Sequence, residues 1–533
     1  MERLRSRRLL AVVAGMVLVL LAGLAWLYRL GYFGGSAFDL GARLPASSRA
    51  AWMVHLRGQV DYRAWGQDLR ELSEKLPASQ RQRLFPGGAS SSGEFLRFTD
   101  GRMGGALLEG KASVGLMGVR DKAGLETLLE SKAVAGASPE LLEGLSFRYL
   151  SGGWLAAQDG SWLYLSNSAE GARALVGSVA GRQALGERAD FQEGRGKVEG
   201  RGALFAAYLN LDALLGDLKT VPVEGTDAGT WEGLAGLRYG VVSVSFQEQQ
   251  SQAFLKVADD GSSLSRALLT PGGLDATAFG AYSSNVPAAH ALDLKWSFQT
   301  ALALASLSPR TRTQAGLLTA GAMMANPFAA LEGDLALASD WPSTLGPDLA
   351  SRLLGSPPVA KSVSTSLTLS AALKDVPLTR ALLEKVLTPS PNGASGQQTV
   401  YATPFGSLLL EAGPPGRLSL SFGKASIWKG QGASVGGRDE LVRALEWGGQ
   451  GIVYADDLDL GPLLDGFEAG LGSDGSPEAD FGRTLVGKMR GWPLRGASCL
   501  AVQQDGLAWR SQGPGGLGLA VLLGMAGKAA GAF

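Results

Sequence analysis

One strand–helix pattern occurs twice in this chain, and its recurrence constrains the fold more than any other feature of the sequence. The first copy, GALFAAYLNLDALLGDL, covers Gly202–Leu218; the second, GIVYADDLDLGPLLDGF, covers Gly451–Phe467 and begins 249 residues later. Each copy has an apolar run typical of a strand, then an Asn or Asp, then leucines at helical spacing. The sequence therefore predicts two related domains rather than one large core.

Further matches follow in the same order along the chain. Asp121 and the leucines after it correspond to Asp375 and its leucines, 254 residues later, and the strand-like run Ala112–Val119 corresponds to Ser364–Ser370. A period near 250 residues exceeds the length of a solenoid repeat, so each copy is expected to be a whole domain. The length of 533 residues agrees with this expectation, because single cores rarely grow beyond about 300 residues.

Short strands joined by tight turns, with helices between them, predict the fold class. Trp154–Gln158 and Ser161–Ser166 are expected to form a hairpin around an Asp159-Gly160 turn, and Ala169–Val179 follows with helical spacing. We therefore predict an α+β protein: two tandem related modules of mainly antiparallel sheet with helices, preceded by one N-terminal transmembrane helix.

The N-terminus predicts a membrane anchor. Four arginines in residues 1–8 precede Leu9–Leu27, a run of 19 residues without a charge, which is long enough to span a bilayer as a helix. The arginines favour a cytoplasmic N-terminus. Cleavage as a signal peptide near Gly35-Ser36-Ala37 is the alternative, and in both cases the rest of the chain is expected outside the cytoplasm.

These features divide the chain into seven predicted segments. They are a basic cytoplasmic tail (residues 1–8), a transmembrane signal anchor (9–28), a linker (29–44), a first α+β module (45–270), a second linker (271–281), a second α+β module (282–514) and an apolar, glycine-rich C-terminal segment (515–533). The expected location is the inner (cytoplasmic) membrane, crossed once, with the bulk of the chain extracytoplasmic or periplasmic.

Composition argues against several classes of function. The 49 basic and 49 acidic residues give zero net charge, which argues against nucleic-acid binding. Cys499 is the one cysteine, so neither an intramolecular disulfide nor a thiolate zinc site can form, and a buried apolar role is expected for it. Since His55 and His290 are the only histidines, we predict no metal, no cofactor and no catalytic residue.

Residues 432–436 match G-x-S-x-G, the nucleophile turn of many serine hydrolases. That enzyme order needs a histidine after the serine, and no histidine follows His290. A turn in which Ser434 caps the next helix, Arg438–Leu445, is the preferred interpretation. An extracytoplasmic serine hydrolase that uses Ser434 is the enzymatic alternative.

Two other polar motifs receive structural interpretations. Asp456, Asp457 and Asp459 follow the apolar strand of the second copy. A calcium or magnesium site is conceivable there, but helix capping by Asp459, as by Asn210 in the first copy, is preferred. Gly194–Gly202 is glycine-rich and basic without the P-loop spacing, so a solvated hairpin loop is expected.

The two copies differ most in the region after their first strands. Tyr62–Phe85 is heavily charged, whereas its counterpart Lys295–Leu331 is almost entirely apolar after Lys295, interrupted by Arg310 and Arg312. Burial against another part of the chain is one interpretation, and an apolar groove for a lipid tail or a partner helix is the other. The candidate binding residues are Trp296, Phe298, Leu302, Leu317, Leu318, Met323, Met324 and Phe328.

With its duplicated strand–helix pattern and its N-terminal apolar run, the chain resembles a family of signal-anchored, duplicated exported bacterial proteins of unknown function. The resemblance implies an anchored α+β ectodomain without an established active site, so it assigns no catalytic residue. We predict a non-enzymatic binding or scaffolding protein of the bacterial cell envelope. Its expected partners are the lipid bilayer, through the N-terminal helix, and an envelope protein or an apolar ligand.

Overall fold

The computed structural model describes residues 36–56, 98–198, 203–219, 227–245, 250–280, 282–309, 311–313, 331–343, 345, 366–390, 398–403, 406–412, 416–422, 433–471, 477–490 and 493–513. The predicted membrane anchor (9–28) and the C-terminal segment (515–533) lie outside these residues. Among the helices that are described, none is both long enough and apolar enough to cross a membrane.

The strands of the described ranges are β1 (Ser48–His55), β2 (Thr99–Leu108), β3 (Ser113–Val119), β4 (Glu140–Leu142), β5 (Leu145–Leu150), β6 (Trp154–Asp159), β7 (Trp162–Ser166), β8 (Ala203–Asn210), β9 (Leu237–Ser245), β10 (Gln250–Val257), β11 (Ala288–Asp293), β12 (Leu331–Ser339), β13 (Leu367–Leu373), β14 (Gln398–Thr403), β15 (Gly406–Glu411), β16 (Gly416–Phe422), β17 (Ile452–Asp459), β18 (Arg495–Gln503) and β19 (Gly506–Gln512).

The α-helices are α1 (Lys122–Lys132), α2 (Ala169–Val179), α3 (Ala189–Val198), α4 (Leu211–Leu218), α5 (Ala228–Leu234), α6 (Ser263–Leu268), α7 (Leu294–Leu307), α8 (Val376–Glu384), α9 (Asp439–Gly448), α10 (Gly461–Gly470) and α11 (Pro477–Met489). Short 3-10 helices occupy Ala37–Arg43, Glu109–Lys111, Leu185–Glu187, Ala276–Phe279 and Val435–Gly437.

The described residues form two compact units. Unit 1 takes its residues from Met1–Leu214, Tyr239–Phe254 and Leu471–Trp492, and unit 2 from Leu215–Arg238, Leu255–Gly470 and Pro493–Phe533. Both units combine helices with antiparallel strands. The predicted α+β class is therefore confirmed.

Antiparallel pairing sets the strand order within each unit. Unit 1 has the order β4-β5-β6-β7-β3-β2-β1-β8-β9. Unit 2 has the order β14-β15-β16-β13-β12-β11-β17-β18-β19. In each unit the strand of the repeated sequence motif, β8 or β17, pairs with the first strand of that unit, β1 or β11.

Several helices begin with a side-chain cap, of which the one at Asn210 was predicted. Asp121 accepts a hydrogen bond from Gly124 N at 3.0 Å ahead of α1, and Asp375 accepts one from Leu378 N at 2.8 Å ahead of α8. Asn210 accepts one from Ala213 N at 3.1 Å. Each bond satisfies a backbone donor that the first turn of a helix leaves free.

The β6–β7 hairpin differs from its prediction by one residue. Asp159 pairs with Trp162, so the two-residue loop is Gly160-Ser161 rather than Asp159-Gly160. Gly160 has a φ of 54°, a value that glycine adopts at little cost. The glycine therefore occupies the first central position of the turn, and Asp159 stays in the ladder.

The loop predicted over Gly194–Gly202 is wrong for its first half, because Gly194 and Val198 belong to α3. Phe191, Gly194 and Val198 are the buried residues of this helix and share one face. A Cβ at Gly194 would overlap the side chain of Val241. The glycine thus serves close helix–strand packing rather than a turn.

Candidate functional site

The apolar residues proposed as a binding region divide into two groups. Trp296, Phe298 and Leu302 lie on α7, whereas Leu317, Leu318, Met323, Met324 and Phe328 lie outside the described residues. Trp296 packs against the buried cluster around Leu268 and Val453, and its Nε1 donates to Leu268 O at 3.4 Å. Its contacts therefore belong to the core of unit 2.

Phe298 and Leu302 are half-buried and one helical turn apart. At about 100° per residue, Phe298 lies on the side of α7 opposite Trp296. Phe298 and Leu302 are the part of the predicted apolar surface that lies within the described residues and outside the core. It contains no polar group that would orient a ligand.

Ser434 lies immediately before the 3-10 helix Val435–Gly437, and its side chain makes no capping hydrogen bond. Capping of the next helix was therefore a wrong expectation for this serine, because α9 begins only at Asp439, after Arg438. Gly436 is packed so closely on Ala276 that a Cβ would lie 2.7 Å from Ala276 O. Tight backbone packing accounts for this glycine.

The three aspartates Asp456, Asp457 and Asp459 do not form one cluster, because they lie along a single strand. β17 continues to Asp459, so Asp456 and Asp457 are strand residues rather than residues that follow the strand. Both are 0% exposed, and their side chains point to opposite faces because strand residues alternate. Asp459 accepts a hydrogen bond from Gly461 N, the first residue of α10, at 2.9 Å, but the N-cap of this helix is Leu460, so Asp459 acts one position earlier than the capping interpretation predicted. Among the described residues no group of three or more His, Cys, Asp or Glu side chains could hold a metal ion.

Asp456 anchors a buried hydrogen-bond chain that sequence reasoning did not find. Its carboxylate accepts a hydrogen bond from Tyr454 Oη at 2.8 Å. It also accepts hydrogen bonds from the backbone N of Ser498 at 3.0 Å and from the Ser498 hydroxyl at 2.8 Å. Tyr454 Oη in turn lies 3.1 Å from His290 Nδ1. Burial lowers the pKa of His290 to about 4, so the imidazole is neutral at pH 7. With these side chains 2% exposed or less, the chain is a satisfied core network.

On the other face of β17, Asp457 is paired with Arg438. The Arg438 guanidinium donates to Asp457 Oδ1, to Ser284 O and, at 2.8 Å, to Val286 O. Burial nevertheless raises the pKa of Asp457 to about 6. Asp457 Oδ2 and Arg438 Nε have no hydrogen-bond partner in the described structure.

A small cavity of about 220 Å³ in unit 2 is lined by both charged and apolar residues. It is lined by Gly273, Leu274, Asp275, Thr277, Gly333, Asp334, Ala372, Leu373 and Arg417. The cavity is smaller than the roughly 300–1,000 Å³ of sites for drug-sized ligands. We take it as the candidate functional site.

Strand ends bring the charged residues of this cavity together. Pairing of β12 with β13 shifts register between Leu331 and Leu335, and Gly333 within this bulge has a φ of 75°. A bulge re-aims the side chains beside it, and the next residue is Asp334. Arg417 is the second residue of β16 and pairs with Ala372 of β13. The bulge and this pairing place both charges at one wall of the cavity.

Asp334 and Arg417 form a buried ion pair. Arg417 Nη2 donates to Asp334 Oδ2 at 2.5 Å, and Nη1 donates to Ser370 Oγ at 3.2 Å. Their side chains are 10% and 5% exposed. Asp334 Oδ1 is buried and accepts no hydrogen bond from the described residues. Burial raises the pKa of Asp334, and the nearby Asp275 carboxylate raises it further, whereas Arg417 and the backbone N–H of Ala372 act to lower it.

Another part of the cavity lining comes from the segment before β11. Asp275 accepts hydrogen bonds from Thr277 N at 2.8 Å and from its hydroxyl at 2.5 Å, which starts the helix Ala276–Phe279. Gly273 N donates to Asp293 Oδ2 at 3.0 Å, while Asp293 Oδ1 caps α7 by accepting from Trp296 N at 2.7 Å. Asp293 thereby fixes both this wall and the start of α7.

Sequence reasoning missed Asp334 and Arg417. The available signal was Gly333, since an isolated glycine in a strand-like run is typical of a bulge. A lone arginine at the start of the otherwise apolar and serine-rich β16 was a second signal. Neither signal could show that the two residues meet, because they are 83 positions apart.

Comparisons with known proteins assign neither a family nor a fold. The chain matches no family model, and no curated protein matches it. Among solved structures, crystal form III of TP0453 aligns with 41% of this chain and 80% of that chain, at 10% identity and a TM-score of 0.25. Crystal form IV of TP0453 gives 12% identity, 41% and 79% coverage and a TM-score of 0.26. Scores this low carry no argument about fold or function.

Proposed function

We propose that this protein is a non-enzymatic binding protein of the bacterial cell envelope, anchored in the inner membrane by residues 9–28, and that it holds a small ligand in the Asp334–Arg417 cavity. The observation that carries the ligand-binding role is the cavity itself, where the buried Asp334–Arg417 ion pair lies beside the apolar residues Leu274, Ala372 and Leu373. Small-ligand sites combine an apolar lining with a few polar groups that fix the orientation of the ligand.

The polar groups elsewhere in unit 2 support binding over catalysis. His290 is neutral, buried and engaged with Tyr454, so it does not supply the base that a hydrolase built on Ser434 would need. A serine-reactive fluorophosphonate probe tests that alternative. Labelling that disappears in Ser434→Ala and persists in Ser283→Ala would establish the hydrolase and displace the binding proposal.

We also propose that the two units derive from a tandem duplication. The strand orders of the two units correspond when β1 is matched to β11 and β8 to β17. A 3-10 helix followed by an arginine and a helix occurs in each, at Leu185–Glu187 with Arg188 and at Val435–Gly437 with Arg438. The sequence matches near an offset of 250 residues support the same origin.

A partner protein or an apolar ligand at residues 295–331 is a further part of the proposal. Phe298 and Leu302 supply its described portion. Titration of the full-length protein with a hydrophobic dye, with Leu317→Glu and Leu318→Glu as variants, tests this role. Dye binding that is unchanged in a folded variant would remove the apolar region from the proposal.

The ligand-binding role is tested by thermal unfolding of the detergent-solubilised full chain against a chemically diverse panel of small polar molecules. A ligand present at 100 times its Kd should stabilise the protein by about 2.7 kcal/mol, and Asp334→Asn should remove this effect. If no compound in the panel raises the unfolding temperature, the binding role fails. Protease accessibility in membrane vesicles separately tests the predicted orientation.

A further inference from the structure

We propose that α8 of unit 2 lies on the surface of an anionic lipid bilayer and inserts an exposed stripe of apolar side chains into it. The contact is separate from the Asp334–Arg417 cavity. It rests on one part of the proposed function, the membrane anchor, which keeps the chain beside a bilayer.

The stripe consists of Leu378, Leu382 and Val386, which are 51%, 49% and 81% exposed. Successive members are four residues apart, so they lie along one side of the helix and of the turn that follows it. Lys385 is exposed beside them. Glu384 is two residues from Leu382, so at about 100° per residue it lies on the far side of the helix.

The other apolar side of α8 is already packed. Val376, Leu383 and Leu387 lie against a buried cluster on the neighbouring strands, which consists of Leu373, Tyr401, Leu408 and Leu410. The helix is therefore apolar on two sides, and only one of them packs against the described residues. Because a helix that is apolar all round is typical of a buried element, the stripe is expected to have a partner.

The corresponding helix of unit 1 shows that the fold itself does not require such a stripe. At the positions that match Leu382 and Val386, 254 residues earlier, α1 has the buried Leu128 and the exposed Lys132. Thr127 is exposed on α1 where α8 has Ala381. The apolar surface of α8 is thus particular to unit 2.

The charges beside the stripe favour an anionic lipid surface as the partner. Lys374 and Lys385 are exposed at its two ends and form no ion pair within the described part of the chain. The carboxylate at this side, Asp375, accepts a backbone N–H of the first turn of α8 at 2.8 Å. Lysines beside exposed leucines are typical of helices that lie in the headgroup region, and each such cation near an anionic bilayer strengthens binding about fivefold.

Spin labels at matched positions of α8 and α1 test the contact in the full chain, reconstituted in vesicles of phosphatidylcholine mixed with phosphatidylglycerol. Single-site labelling is possible because the one native cysteine, Cys499, is buried. Ala381→Cys places a label beside the stripe and keeps its three apolar residues, and Thr127→Cys places one on α1. Power saturation gives the collision rates of each label with oxygen, which enters the bilayer, and with a nickel chelate, which stays in water.

Contact with the bilayer should make the nickel collision rate of the Ala381→Cys label several-fold lower than that of the Thr127→Cys label, while oxygen collisions rise. Leu382→Glu in the Ala381→Cys background should restore the nickel rate. Leu141→Glu, at a leucine of unit 1 that is 74% exposed, should leave it unchanged. Vesicles of phosphatidylcholine alone should shield the label less, because the lysines lose their anionic partners.

Equal nickel collision rates for the two labels in the mixed vesicles would overturn the proposal. Shielding of the Ala381→Cys label from oxygen and nickel alike would overturn it too, because this would show that protein covers α8. Equal shielding in both kinds of vesicle would overturn the assignment of an anionic surface. Flotation of the chain with phosphatidylcholine vesicles measures the anchor by itself, so failure of the anchor and failure of the α8 contact give different results.

Discussion

Arg188 in unit 1 and Arg438 in unit 2 occupy the same place in their local structures, but their carboxylates differ. Each arginine stands between a 3-10 helix and an α-helix, and each donates to carbonyls just before or within the unit's first strand. Arg188 Nη1 reaches Ala46 O at 2.9 Å, and Arg438 Nη2 reaches Val286 O at 2.8 Å. The shared role is to tie the start of the first strand to the start of a helix.

The partner of Arg188 is Asp190, two residues along the same chain segment, and this pair is partly open to solvent. Their side chains are 24% and 28% exposed. Asp190 also accepts hydrogen bonds from Tyr208 Oη at 2.6 Å and from Phe191 N at 2.8 Å. Burial works to raise the pKa of Asp190, but these hydrogen bonds and Arg188 outweigh it, so the pKa lies below its usual value.

The partner of Arg438 is Asp457 on β17, at the position that Tyr208 holds on β8 when the two motif copies are aligned. This carboxylate is 0% exposed and has fewer donors than Asp190. The comparison teaches that an arginine–carboxylate contact alone does not keep a carboxylate acidic. The number of additional donors and the access of water decide the direction of its pKa.

The largest expected contrast comes from removal of the arginines. Arg438→Ala should destabilise unit 2 by about 3–5 kcal/mol, because it leaves the buried Asp457 charge without its cation. Arg188→Ala should lower the stability of unit 1 by about 1 kcal/mol, since Asp190 keeps Tyr208, Phe191 N and water. Urea unfolding of the two variants measures the difference. Equal losses of stability in the two variants would contradict the different environments of Asp457 and Asp190.

Leucines on the helices after β3 and β13 extend the comparison to apolar contacts. Leu128 on α1 is 8% exposed, whereas Leu382 on α8, 254 residues later, is 49% exposed. Leu128→Ala should cost about 2–4 kcal/mol through lost burial and a cavity, and Leu382→Ala less than about 0.5 kcal/mol. A loss from Leu382→Ala as large as that from Leu128→Ala would show that α8 is covered in solution.

The contributions of Asp457 and Asp190 to the stability of the fold should change with pH in opposite directions. Since the folded pKa of Asp457 is about 6 and an unfolded Asp has about 3.9, its favourable contribution exists below pH 4 and is lost as the pH rises through 6. The change is on the order of 3 kcal/mol, since the shift is about two pKa units and each unit corresponds to about 1.4 kcal/mol. Asp190, with a lowered folded pKa, contributes stability above its unfolded pKa and loses it as the pH falls further.

The test is to measure the unfolding free energies of wild type, Asp457→Asn and Asp190→Asn from pH 3.5 to pH 8. The difference between wild type and each variant gives the direction in which that carboxylate changes stability with pH. The margin over Asp457→Asn should shrink as the pH rises, and the margin over Asp190→Asn should grow. Parallel curves for the two variants would contradict the different environments of the carboxylates.

A small effect is expected from the loss of the Tyr208 hydroxyl, which donates to Asp190 in unit 1. Tyr208→Phe should lower stability by about 1 kcal/mol, the net value of one hydrogen bond, and should move the pKa of Asp190 upward. Carboxyl titration by NMR measures the second effect, and Tyr239→Phe, which changes another buried tyrosine of unit 1, is the control. An unchanged pKa of Asp190 in Tyr208→Phe would show that the Tyr208 hydroxyl does not lower that pKa.

Much of the local structure was predictable because its causes are local. The strand and helix of the repeated motif in its first copy, the helix cap at Asn210 and the burial of Cys499 were all expected and are confirmed. Apolar period and capping chemistry act within a few residues, so one stretch of sequence is enough to specify them. The turn at Gly160 was displaced by one residue, because strand pairing decides which residues leave the ladder.

The candidate site was beyond such reasoning. Asp334 and Arg417 become partners only when β12, β13 and β16 align, and Asp456 and Asp457 acquire opposite surroundings only because β17 continues through both. The amino-acid sequence by itself determined the elements, their order and the α+β class, since these follow from short-range periodicity. Tertiary structure alone decided which charges are buried, which oxygen lacks a donor and where the cavity lies, because burial depends on residues brought together from distant parts of the chain.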